Sequence, residues 1–342
     1  MKHLKLFVTV MAMLGSLHLM AQKDTLISST GDVIVGEIKS MNRNVLVFDT
    51  DYADSEFEVE WAGVKGLVSS GLLQIYTTDG EKLKGRINYQ EGKDGVLVLT
   101  GSEKDGEYPI SEIVQIATTN SKFLDRIYIS IGAGYSFTKA NHVTQLTTNG
   151  RVSYKADNWS LGGGFNNVVT NQDDVDATSR NEANIDFNRD ILGRAFAFAG
   201  MEFLANSEQN LDLRTTSKVG IGYYFVRQNG FLFQGGVGLA NANEKYGAPD
   251  NTTENSFEGL GAVEVDAYDI GDFSFRAKVN AFPSFSNSGR VRINSDISLK
   301  WDLPLDFYIK TSLIHNFDSK PPVAGNSKSD YVFQTSVGWE WD

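Results

Sequence analysis

The sequence predicts an all-β chain: a transmembrane antiparallel β-barrel of about twelve strands, preceded by two small SH3/Sm-like β repeats. Three observations predict it. In the last two-thirds of the chain, apolar and polar residues alternate. In VRINSDISLKW (291–301), Val291, Ile293, Ile297, Leu299 and Trp301 share one face, and Arg292, Asn294, Asp296, Ser298 and Lys300 share the other. Such a strand meets lipid on one side and water on the other. Short turns alternate with longer polar connections, as they do around a membrane barrel. Before this region, one β pattern occurs twice, about fifty residues apart.

Composition narrows the classes of function. The net charge of -12 argues against a nucleic-acid partner, because phosphate binding needs clustered Lys and Arg. With no cysteine, disulfides, thiolate metal sites, a Cys nucleophile and a lipoprotein anchor are all excluded. The 33 glycines and 11% aromatic residues suit tightly curved strands with rings at the membrane interfaces.

The elements follow in order. Residues 1–21 are expected to be a signal peptide: Lys2, His3 and Lys5 form a positive start, 6–20 an apolar centre, and Ala21 a small residue before the cleavage point. Residues 22–120 are expected to be a duplicated periplasmic region. TGDVIVGEI (30–38) matches DGEKLKGRI (79–87), placing Gly31 over Gly80, Gly36 over Gly85 and Ile38 over Ile87. The runs VLVF (45–48) and VLVL (96–99) follow, and Trp61-Ala62-Gly63-Val64 sits over Ile110-Ser111-Glu112-Ile113. Gly36 and Gly85 read as strand bends, since no helix start or Lys-Ser/Thr pair follows to make a phosphate loop.

Residues 121–342 are expected to form the barrel. Its strand-like segments are 127–137, 145–155, 159–169, 182–190, 194–205, 211–227, 231–240, 256–268, 272–283, 290–302, 306–317 and 330–341. The connections 171–180, 240–255 and 318–330 read as long outer loops. An even strand number returns the C-terminus to the side of the repeats. Outward positions include Ile127, Ile129, Ile131, Ala133 and Tyr135, then Val219, Ile221, Tyr223, Phe225, Phe231, Phe233, Val237 and Leu239. On the closing strand they are Tyr331, Phe333, Val337, Trp339 and Trp341. Trp339 and Trp341 form a C-terminal insertion signal, departing from the usual pattern only in the Asp342 that follows.

Inward positions carry the charges: Arg214, Lys218, Glu258, Glu264, Asp266, Arg276, Lys278, Arg292, Asp296, Lys300, Lys310 and Glu340. Acids on one strand beside bases on the next predict a lumen cross-braced by ion pairs, because an unpaired charge in a narrow lumen is costly. A pore lining is the functional alternative. No catalytic, metal or cofactor site is predicted. His142 reads as an outer-loop residue. His315 reads as a polar rim residue, with no Ser and Asn set beside it in a triad pattern. Asp173, Asp174 and Asp176 lack EF-hand spacing, and Gly162, Gly163 and Gly164 sit inside a strand.

Taken together, the GDxxxGxI unit (Gly31, Asp32, Gly36, Ile38), the closing W-x-x-V (Trp61, Val64), the second copy and the final VGWEW (337–341) resemble the salt-induced outer-membrane protein family. This is also called domain of unknown function family 481, here in its Bacteroidetes-like form. The resemblance implies an outer-membrane barrel and brings no substrate or site residue. The expected function is a structural or permeability role in the envelope, with a narrow pore as one version of it. The alternatives are a binding module built on the repeats and, least favoured, a lipid-active enzyme using His315. Expected partners are outer-membrane lipids and lipopolysaccharide, the barrel-assembly machinery, and peptidoglycan or a periplasmic protein.

Overall fold

The computed structural model describes residues 23–341, apart from 54, 102–103, 119–122, 124–125, 139–142, 157, 248–250 and 323–326. The predicted signal peptide, His142 and Asp342 therefore lie outside the described residues.

The first ten strands are β1 (Asp24–Ser28), β2 (Val33–Asn42), β3 (Val45–Asp49), β4 (Phe57–Glu60), β5 (Val64–Val68), β6 (Leu73–Thr77), β7 (Lys82–Asn88), β8 (Val96–Thr100), β9 (Gly106–Pro109) and β10 (Ile113–Thr118). They make one ten-stranded sheet. Each half has the same connectivity. In the first, β1 pairs with both β2 and β5, and β3 with β2 and β4. In the second, β6 pairs with both β7 and β10, and β8 with β7 and β9. Equivalent backbone bonds recur: Trp61 N donates to Asn44 O and Ile110 N to Gly95 O, each where a 3₁₀ turn begins.

The two glycines of the shared motif have one physical cause. A Cβ on Gly36 would meet Asp49 O at 2.0 Å, and one on Gly85 would meet Thr100 O at 2.9 Å. In both places the next strand crosses too closely for a side chain. The halves join through β10–β2 pairing and a shared core that includes Leu26, Phe48, Trp61, Ile87, Leu99 and Ile116.

The remaining strands are β11 (Ile127–Thr138), β12 (Val143–Lys155), β13 (Trp159–Gln172), β14 (Val175–Leu192), β15 (Ala195–Asn206), β16 (Leu211–Gln228), β17 (Phe231–Tyr246), β18 (Thr253–Ile270), β19 (Phe273–Pro283), β20 (Val291–Asp302), β21 (Phe307–Asp318) and β22 (Ser329–Trp341). They form a closed antiparallel barrel of twelve strands. Closure is made by β22 on β11, with Ile129 opposite Trp341 and Ala133 opposite Val337.

The long outer loops are a correction. Most of 171–180 and 240–255 is strand: only Asp173 and Asp174 separate β13 from β14, and β17 runs to Tyr246 before β18 resumes at Thr253. Polar side chains hid these extensions because a wall rising above an apolar belt has water on both faces, so the alternation stops while the hydrogen-bonded ladder continues. The connection after β21 does remain long.

Outside the barrel, Ile131, Tyr135, Val219, Ile221, Phe225, Val237, Phe333 and Val337 are exposed. Aromatic rings gather at the short-turn end: Trp159, Phe187, Phe225, Phe231, Phe273, Trp301, Phe307, Trp339 and Trp341. A second group, Tyr135, Phe257, Phe285, Tyr331 and Phe333, lies toward the other end.

The ten-stranded sheet is seated on the short-turn end. Arg194 Nε donates to Thr78 O at 3.0 Å, Asn229 Nδ2 to Ile113 O at 2.6 Å, and Lys155 Nζ to Asn42 Oδ1 at 3.1 Å. Lys82 pairs with Asp190 at 3.3 Å. Gly80, at φ +85°, lies so close to the Gly193 turn that a Cβ would meet its carbonyl oxygen at 2.3 Å.

Candidate functional site: the barrel lumen

Parity turns the polar face of each barrel strand inward, so the lumen collects the chain's charges. Toward the end away from the short turns they form closely paired groups. Arg292 binds Glu258 through two bonds, 2.9 and 2.6 Å, with both side chains buried and the Phe282 ring beneath the guanidinium. Glu244 takes Arg214 at 2.5 Å and Arg290 at 2.7 Å, and Arg290 also holds Asp318 at 2.6 Å. Arg180 bridges Glu182 (2.6 Å) and Asp330 (2.7 Å), and Asn206 donates to the same Asp330 carboxylate. Bidentate guanidinium–carboxylate geometry offsets much of the cost of taking these charges out of water.

Deeper in the lumen, Lys218 sits between Glu202 (2.5 Å) and Asp186 (3.2 Å). Gly200 makes this reach possible: a Cβ there would stand 2.8 Å from both Asp186 Oδ1 and Lys218 Cε. Near the short-turn end, Lys300 binds Glu340 at 2.5 Å and Asp302 at 2.8 Å, while Tyr128 donates to Glu340 at 2.8 Å. Arg276 pairs with Glu264.

Of the inward residues expected from the sequence, Arg214, Lys218, Glu258, Glu264, Arg276, Arg292, Lys300 and Glu340 all lie in ion pairs within the barrel. Asp266 stands opposite Arg276 in the ladder, yet its ion pair, at 3.6 Å, is with Arg43 of the β2–β3 turn. Lys278, Asp296 and Lys310 form no ion pair within 4.0 Å among the described residues, and all three line a cavity. That cavity, about 380 Å³, runs through the lumen from Arg43, Tyr128 and Glu340 to Ile314, Asn316 and Gln334.

Sequence reading missed Glu244, Arg180, Arg290, Asp318 and Asp330. The first two lie in segments that read as loops and fold as strand, where period-2 parity carried past the apolar belt finds them. The mouth residue Arg43 comes from the repeats and has no signal in barrel periodicity. Its guanidinium lies 4.7 Å from the Tyr268 ring centroid.

His315 differs from its expectation in one respect. Its Nε2 lies 2.8 Å from Ser329 Oγ, so a serine does stand beside it at the rim. Among the described residues no hydrogen bond joins its other ring nitrogen to a carboxylate, so the orienting member of a triad has no counterpart. No group of three His, Asp or Glu suited to a metal occurs among the described residues.

No curated protein matches the chain. Among solved structures, the NanC porin aligns at 10% identity and TM-score 0.35, covering 62% of this chain and 97% of that one. The KdgM porin in complex with disordered oligogalacturonate aligns at 10% identity and TM-score 0.28, covering 62% and 98%. A Pseudomonas aeruginosa FadL homologue aligns at 12% identity and TM-score 0.28, covering 79% and 86%. A family profile matches residues 131–341, which is nearly the whole barrel and none of the ten-stranded sheet. The chain belongs to that family, described as protein of unknown function, DUF481.

Proposed function

We propose that the chain is an integral outer-membrane barrel with a braced lumen stoppered at both ends, serving envelope integrity and permeability without enzymatic activity. The observation that carries the membrane reading is the height of the apolar belt. On β22 the outward residues run from Tyr331 to Trp341. At about 3.3 Å per residue and a tilt of about 40°, those ten steps rise about 25 Å, the height of the apolar band on outer-membrane barrels. The aromatic groups at each end of the belt suit the two interfaces. The seated sheet then lies on the periplasmic side.

Two features favour a stoppered lumen over a standing pore. The Arg214–Glu244–Arg290–Asp318 group crosses the outer end, and Arg43 enters the inner mouth to Asp266. Refolded protein should show heat-modifiable gel mobility and enter planar bilayers without steady current. A soluble, non-shifting protein would overturn the membrane reading. A large standing conductance would overturn the stoppered one.

A further inference from the structure

We infer that the lumen cavity is a binding chamber for a small anionic solute bearing a carboxylate or phosphate, held between Arg151 and Lys310. The charges lining the cavity carry the inference. Among its acids, Glu182, Asp186, Glu202, Asp266 and Glu340 each have a cationic partner within 4.0 Å. Asp296 does not, and it faces Lys278 across the β19–β20 ladder.

That leaves Arg151 and Lys310, which have no ion pair among the described residues and line the same cavity. Like charges also stand near both. Lys310 stands directly opposite Lys300 in the ladder. Arg276 and Arg151 act electrostatically on Lys310, and Arg276 on Arg151, against the opposite pull of Asp296 on Lys310 and of Asp186 and Glu264 on Arg151, none of them within 4.0 Å.

Cations without an ion pair, enclosed by a protein wall, repel one another more strongly than in bulk water, and an anion placed between them relieves this. Guanidinium and ammonium donors both suit carboxylate and phosphate oxygens. At about 380 Å³ the chamber is in the size range of small-molecule sites. The neighbouring hydroxyls and amides, Ser130, Asn149, Ser298 and Ser312, would hydrogen-bond the remainder of a hydrophilic solute.

This inference rests on the stoppered-barrel reading. Its test uses full-length protein refolded in detergent, with the heat-modifiable mobility shift scored on every sample. Inorganic phosphate, glucuronate and neutral glucose are titrated by calorimetry into wild type, R43A, R151Q, K310Q and the R151Q/K310Q double variant. Saturable binding of phosphate or glucuronate but not glucose is expected, weakening about tenfold or more with each lost cation. Phosphate alone would mark a phosphoryl ligand, glucuronate alone a carboxylate; either supports the chamber.

R43A separates access from affinity, because it removes the side chain at the inner mouth and leaves Arg151 and Lys310 intact. Folded wild type and folded R43A that both bind neither anion would overturn the inference while leaving the barrel reading intact. Equal binding by the folded double variant, or equal binding of glucose, would also overturn it. Loss of the mobility shift in wild type would instead count against the barrel reading.

Discussion

Arg292 and Glu258 illustrate how a single residue can be legible while its role is not. Parity placed both inward. It could not show that they meet across Phe282, because nearest-neighbour alternation is blind to reach across an intervening strand. Replacing Arg292 with Met leaves Glu258 enclosed without its partner and should cost about 3–5 kcal/mol. Pairing R292M with E258Q should recover part of that loss, read as the urea midpoint in a folding detergent. Asp79 supports a pH prediction outside the barrel. The hydrogen bond from the Thr77 hydroxyl holds its carboxyl below the ordinary carboxylate range. Its contribution is therefore complete above the unfolded value of about 3.9 and disappears as pH falls through the lower folded value. D79N should lower the melting midpoint of the protein at pH 6 and match wild type near pH 2; an equal difference at both would refute the linkage.

Whole elements were more legible than single partners. All twelve barrel strands announce themselves by alternation, because lipid-like and water-like faces impose a period of two. The signal failed above the apolar belt, where β14, β17 and β18 continue with polar residues on both sides. The repeats were legible for another reason: crowding at Gly36 and Gly85 forbids a side chain, so the same residue recurs at the same place. The closing seam gives an element-scale prediction. Opposed residues of antiparallel strands lie within disulfide reach, and the chain has no cysteine of its own. Ala133→Cys with Val337→Cys should therefore cross-link under mild oxidation, detected by mass spectrometry of the linked peptide. Ala133→Cys with Val332→Cys should not.

At the scale of the molecule, neither half of the sequence shows that the two sheets touch. The contacts use backbone carbonyls of Thr78 and Ile113, two cation–carboxylate pairs and two glycine turns. None of these leaves a pattern in a linear chain. On the stoppered reading both ends must open before current flows. R43A and R290A are each expected to stay silent in planar bilayers, and the R43A/R290A double variant to give current bursts; bursts from R43A alone would mean that the outer ion pairs do not close the lumen.

The sheet precedes the barrel along the chain and has a buried core of its own. During synthesis it therefore emerges before β22, the strand whose docking on β11 completes the wall. On the proposed reading, the inner stopper exists before there is anything to stop, and the membrane need never face an intermediate open at that mouth while assembly finishes.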